Sequence, residues 1–102
     1  MYYMIEISFD NINGAKAAAN VLLDKMLVSS CQIIESNSIW SWKGTRQEGK
    51  EYLLLVKTKQ YLVNDVYNEV KQIQEYEIFE FAMFELKSIN EDYIKWINEE
   101  TK

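Results

Sequence analysis

Between Cys31 and Thr58 the chain carries two long apolar arms joined by polar residues, and no other stretch restricts its fold as strongly. The first arm, Cys31 to Trp42, leads into Ser38-Ile39-Trp40-Ser41-Trp42-Lys43-Gly44; the second runs Glu51-Tyr52-Leu53-Leu54-Leu55-Val56-Lys57-Thr58. Together they read as one long β-hairpin. Side chains alternate between faces along a strand, so Trp40 and Trp42 share a face, whereas the second arm is apolar on both. A sheet built on such a strand must be covered twice. The polar run Lys43 to Lys50, with Gly44 and Gly49, predicts a connection longer than a tight turn, and Glu35-Ser36-Asn37 predicts a bulge or bend in the first arm.

The flanking segments complete an alternating plan. Tyr3, Ile5, Ile7 and Phe9 alternate with Met4, Glu6 and Ser8, which marks an opening strand with one strongly buried face. Asp10 to Gly14 is a turn and cap signal, after which Ala15, Ala18, Ala19, Leu22, Leu23 and Met26 form one helical stripe. Leu62, Val66, Val70 and Ile73, with Val63 and Tyr67, predict a second helix. Tyr76 to Leu86 predicts a fourth strand, apolar on both faces. Asn90, followed by Glu91 and Asp92, opens a short last helix whose Tyr93, Trp96 and Ile97 face inward, with Trp96 expected in the core. The order β-α-β-β-α-β plus a C-terminal helix is the ferredoxin-like α+β plan, an antiparallel sheet with two helices on one face. Residues 1–102 are expected to form one domain. Its other face would expose large apolar side chains, so it is expected to close on further copies, most simply as a ring of three.

Composition narrows the function. Eleven basic against 16 acidic residues give a net charge of -5 and no cluster of positive charge, which argues against nucleic acid and against an anionic membrane surface. No stretch approaches a membrane span, and the opening Met1-Tyr2-Tyr3-Met4-Ile5-Glu6 lacks signal-peptide character, so a cytoplasmic location is expected. The single cysteine, Cys31, has no internal disulfide partner. The chain has no histidine, which removes serine or cysteine triads and histidine-rich zinc sites.

With these segments in place, the chain resembles the CutA family of divalent-cation-tolerance proteins along nearly its whole length. Ser29-Ser30-Cys31-Gln32-Ile33 stands where the family has Ala-Ala-Cys-Val-Asn, and Ser38 to Gly44 follows Ser-x-Tyr-x-Trp-x-Gly with Trp40 in the tyrosine position. Glu51 and Lys57-Thr58 fall at the family's hairpin glutamate and Lys-Thr. Gln74-Glu75-Tyr76-Glu77-Ile78-Phe79-Glu80 keeps the tyrosine and glutamates of His-Pro-Tyr-Glu-x-Pro-Glu but loses its histidine and prolines. Asn90 and Tyr93-Ile94-Lys95-Trp96-Ile97 match the closing Asn-x-x-Tyr-Leu-x-Trp-Ile. The resemblance implies a cytoplasmic homotrimer, related in architecture to the PII signalling proteins, linked to the response to metal ions and to copper binding. It places the metal at Cys31 and at the family histidine, here Gln74, a poor ligand for soft metals.

Several residues have both a structural and a functional reading. Cys31 suits a buried small hydrophobe, although three copies around an axis could bind Cu(I). Trp40 and Trp42 anchor an interface or line a cleft between subunits. Glu77 and Glu80, three apart, point to opposite faces of a regular strand and so do not form one acid–base pair. The expected inter-subunit cleft comprises Trp40, Trp42, Glu51, Lys57, Tyr76, Glu77 and Glu80, with Cys31 and Glu77 as candidate ligands for copper or another divalent cation. The chain is read as a non-enzymatic metal-binding or regulatory protein. The alternatives are a PII-like regulator that holds a small metabolite or nucleotide near Lys43, Arg46, Lys50 and Lys57, and a scaffold whose trimer is the functional unit.

Overall fold

A computed structural model describes all residues, Met1–Lys102. The chain runs β1 (Tyr2–Phe9), α1 (Ile12–Asp24), β2 (Ser30–Trp42), β3 (Thr45–Lys59), a 3-10 turn (Gln60–Leu62), α2 (Val63–Ile73), β4 (Phe81–Glu85) and α3 (Glu91–Glu100). The strands form one antiparallel sheet in the order β2-β3-β1-β4, so the ferredoxin-like order expected from the sequence is present.

The period-two signal in β1 sorts its side chains as expected: Ile5, Ile7 and Phe9 are buried beneath the helices. From β3, Leu54 and Val56 join them, and α1 contributes Ala15, Ala18, Ala19 and Leu22. Val63, Val66 and Val70 of α2, with Leu62 ahead of it, complete the core. Leu23 and Met26 lie outside it and are exposed, because α1 ends there. Asn11 caps α1 by accepting the Gly14 amide at 2.8 Å. At its other end Met26 takes a positive φ of 57°, and the Leu27 amide donates back to Leu22 O at 2.9 Å, a turn that glycine usually makes.

Four expectations are corrected. Lys43 to Lys50 is not a long loop: Trp42 pairs with Thr45, and only Lys43 and Gly44 turn, at φ 48° and 83°. Two consecutive positive φ values fit the tight turn whose twist matches the flanking strands, so the polar residues that follow pair as strand. No bulge interrupts β2, since Glu35, Ser36 and Asn37 pair in unbroken register with Tyr52, Glu51 and Lys50. The fourth strand is shorter than Tyr76–Leu86, because residues 74–80 fold over the end of β1 instead of pairing with it. There Gln74 donates to Ser8 O at 3.0 Å, and the Glu80 amide donates to Ser8 Oγ at 3.4 Å. Finally, Trp96 is not in the core; it is 39% exposed, packed edge-on against Tyr93, while Ile97 is fully buried.

β2 and β3 outrun the rest of the sheet. β1 ends opposite Tyr52, so Ser36 to Glu51 projects as a two-stranded arm. Both α1 and α2 cover one sheet face, and α3 reaches only one end of the other. Its Tyr93 hydroxyl lies 3.1 Å from Ser30 Oγ, and its Asn98 accepts from Tyr2 at 2.9 Å.

Candidate functional site

Where the arm leaves the sheet, β2, β3 and residues 76–80 enclose a cleft of about 630 Å³. The in-phase spacing of β2 puts Trp40 and Trp42 on its wall, and the facing positions of β3 add Gln47 and Glu51. Tyr76, Glu77, Ile78 and Glu80 form the opposite side. The 74–80 segment straddles the end of β1. Phe79 turns to the helix side, where it stacks on Tyr67 with ring centroids 5.8 Å apart, and its neighbours turn to the cleft. Glu77 and Glu80 therefore line the same cavity, which corrects the opposite-face expectation: the alternation rule holds only within a strand, and this stretch is not one.

The polar groups are held by one another. Tyr76 donates to Glu51 Oε2 at 2.6 Å. Burial first, and then the bond to Glu51 and the nearby Glu51 and Asp10 charges, raise the phenol's pKa, which keeps it a donor. Glu80 is open to water over much of its surface. Even so, partial burial, a hydrogen bond with Glu6 and the carboxylates of Glu6 and Glu51 push it up to about 7. Gln74, in the position of the family histidine, is engaged on both ends of its amide, donating to Ser8 O at 3.0 Å and accepting from the Tyr76 amide at 3.4 Å. It positions the segment and is not presented to the cleft.

The structure thus gathers Trp40, Trp42, Glu51, Tyr76, Glu77 and Glu80 around one cleft within the chain, where the sequence reading grouped them between subunits, and leaves two residues apart. Lys57 shares the open sheet face with Glu51, but six residues of β3 separate them by about 20 Å. Its ammonium lies 5.8 Å from the Tyr93 ring centroid, in a second depression beside α3 with Ser30, Gln32 and Trp96. Cys31 points to the helix face, packed against the core, with Sγ 3.9 Å from Ala19 O, and burial pushes its thiol up to about 11. A protonated thiol there is a small hydrophobe, and it stands on the other side of the sheet from Glu77. No three acidic or cysteine side chains converge as a metal shell within the chain.

Sequence reasoning missed Ser8, Ser41, Gln47 and Ile78 as cleft residues, and Glu6 as the partner of Glu80. A signal existed for two of them. Glu6 and Ser8 belong to the polar phase of β1, which must face away from the helices.

An antiparallel sheet with two helices on one face, a projecting arm and a cleft at its root defines a small ferredoxin-like α+β protein. Residues 3–100 match the family described as CutA1 divalent ion tolerance protein, and the chain belongs to that family. It is 26% identical over 99 residues to the divalent-cation tolerance protein CutA of Pyrococcus horikoshii, with 97% of each covered. It is 28% identical over 97 residues to the human protein CutA, of which it spans only 54%. Among solved structures, CutA1 of Thermus thermophilus superposes with a TM-score of 0.94 over the full length of both chains at 27% identity. The Archaeoglobus fulgidus protein, described as periplasmic, has a TM-score of 0.96 over both full chains at 24% identity and shows the shared fold.

Proposed function

We propose that the chain is a non-enzymatic protein of divalent-cation tolerance that works as a PII-like homotrimer, with the arm and the open sheet face packed on neighbouring copies. The arm carries this reading. A two-stranded ribbon standing alone is marginally stable in water, yet Ser36–Glu51 extends beyond β1 and holds Ile39 67% exposed and Trp40 38% exposed. The open face adds Leu53, Leu55, Met4 and Phe84, none fully covered by α3. A second copy supplies the missing cover to Ile39 and to the open face at once. Light scattering on the purified chain tests it: a mass of three chains is expected, and a stable monomer overturns the reading.

The cation, copper or another divalent ion, finds no complete set of ligands in one chain. We therefore place its binding between copies, with Glu77 contributing from the cleft, and with Cys31 contributing only if assembly opens its side of the sheet. Calorimetric titration with copper and zinc of the native chain, Glu77→Gln and Cys31→Ala checks this. A variant curve identical to the native one removes that residue from the site. The alternative of an anionic metabolite or nucleotide draws no support from the cleft, whose lining includes no lysine or arginine. No helix is long and apolar enough to cross a membrane. An unpaired Cys31 fits the reducing cytoplasm, where we place the protein.

A further inference from the structure

The cleft at the root of the arm joins aromatic walls to negative charge. Trp40, Trp42 and Tyr76 supply ring surface, and Glu51, Glu77 and Glu80 supply carboxyl groups. Carboxylates alone would be a solvated acidic patch; the indoles change that. A cation is attracted to the face of an indole within about 6 Å of its centroid. Trp42 already shows this within the chain, because the Lys43 ammonium lies 5.2 Å from its ring centroid. The carboxyl groups do not converge as a metal shell, which needs ligands at about 2.0–2.6 Å. A bulky, weakly hydrated organic cation needs no such convergence. A negative field and ring faces suffice, and a volume of about 630 Å³ lies in the range of small-molecule sites.

We propose that this cleft binds a small organic ammonium ion, a quaternary or otherwise alkylated amine, with its cationic head against Trp40 and Trp42 and its charge balanced by Glu51 and Glu77. The site goes beyond metal tolerance and does not rest on a metal being bound.

Choline serves as the probe, titrated into the full-length protein in its natural assembly and followed by calorimetry and tryptophan fluorescence. The neutral alcohol in which carbon replaces the quaternary nitrogen is the control. Saturable choline binding is expected, with the alcohol at least tenfold weaker. Trp40→Leu and Glu77→Gln should each weaken choline binding about tenfold. Equal binding of choline and the alcohol would reduce the site to an apolar pocket and overturn the proposal. So would the absence of saturable choline binding, or native affinity in both variants. Should Trp40→Leu fail to fold, Glu77→Gln, whose side chain is exposed, decides alone. Parallel zinc titration separates the two readings, since zinc bound without choline overturns only this one, and choline bound without zinc only the metal reading.

Discussion

Glu80 is the side chain whose chemistry departs furthest from what its place in the sequence suggests. Its pKa, pushed up to about 7 against 4.5 for an ordinary glutamate, means that the folded chain holds a proton the unfolded chain has released. Stability contributed by this group is therefore intact below about pH 4.5 and falls as pH rises to about 7. The groups that face it are Glu6 on β1 and Glu51 on β3, both acidic, so no neighbouring cation within the chain offsets the trend. Urea unfolding at pH 5 and pH 8 should show the native chain weaker at the higher pH, and Glu6→Gln should shrink that difference. A second residue, Met26, holds a left-handed backbone that a side chain disfavours, at φ 57°. Met26→Gly should raise stability by about 0.5–1 kcal/mol by relieving that strain, net of glycine's extra chain entropy. Unchanged or lower stability in equilibrium unfolding would contradict this. Neither effect was legible beforehand, since the Glu6–Glu80 contact joins residues 74 positions apart and depends on how the 74–80 segment crosses β1.

Among the elements, the arm depends on its two-residue turn. Gly44 sits at φ 83° with open space around it, so an added methyl group would meet no neighbour and would cost only backbone strain. Gly44→Ala should destabilise the chain by about 1 kcal/mol, read as a lower urea midpoint. It should also loosen the pairing of Trp42 with Thr45, read as faster amide exchange near the turn. Strands and helices with strong periodicity were legible at this scale: β1 from its alternation, α2 from Val63, Val66 and Val70, and α1 from its alanine stripe. Lys43–Lys50 was not, because its polar composition signals exposure, and an arm that leaves the sheet is exposed whether or not it is paired. Tyr76–Glu80 misled for the opposite reason. Its Phe79 does pack against the core, but Ile78 is 73% exposed, and the segment crosses the strand end as a strap rather than pairing as a strand.

At the scale of the whole molecule, the uneven cover of the sheet is the feature that points beyond one chain. Leu55 lies on the open face, opposite Glu6 and Gln32 and away from the helices. On the proposed trimeric reading, Leu55→Glu should split the assembly into monomers, seen as a lower mass in light scattering, and should lower the melting temperature. On the same reading the melting temperature of the native protein should rise with protein concentration, as mass action requires of a folded oligomer. A variant that keeps the native mass would show that this face is not where copies meet.

Its period-two and period-3.6 patterns, with no proline and few glycines, determined the order of strands and helices and the need for cover on two faces, because burial of alternate residues is a local property. Family-like motifs in the sequence also suggested Trp40, Trp42, Glu51, Lys57, Tyr76, Glu77 and Glu80 as one group, expected between subunits. Tertiary structure alone decided which of their companions belonged. Strand length carried Lys57 to the far end of the sheet, and strand phase put Cys31 beneath α1. The crossing of residues 74–80 brought Ser8 and Glu6 to the cleft and turned Glu77 and Glu80 to the same side of it. Distances across a fold depend on where strands begin, end and cross, and no periodicity records that.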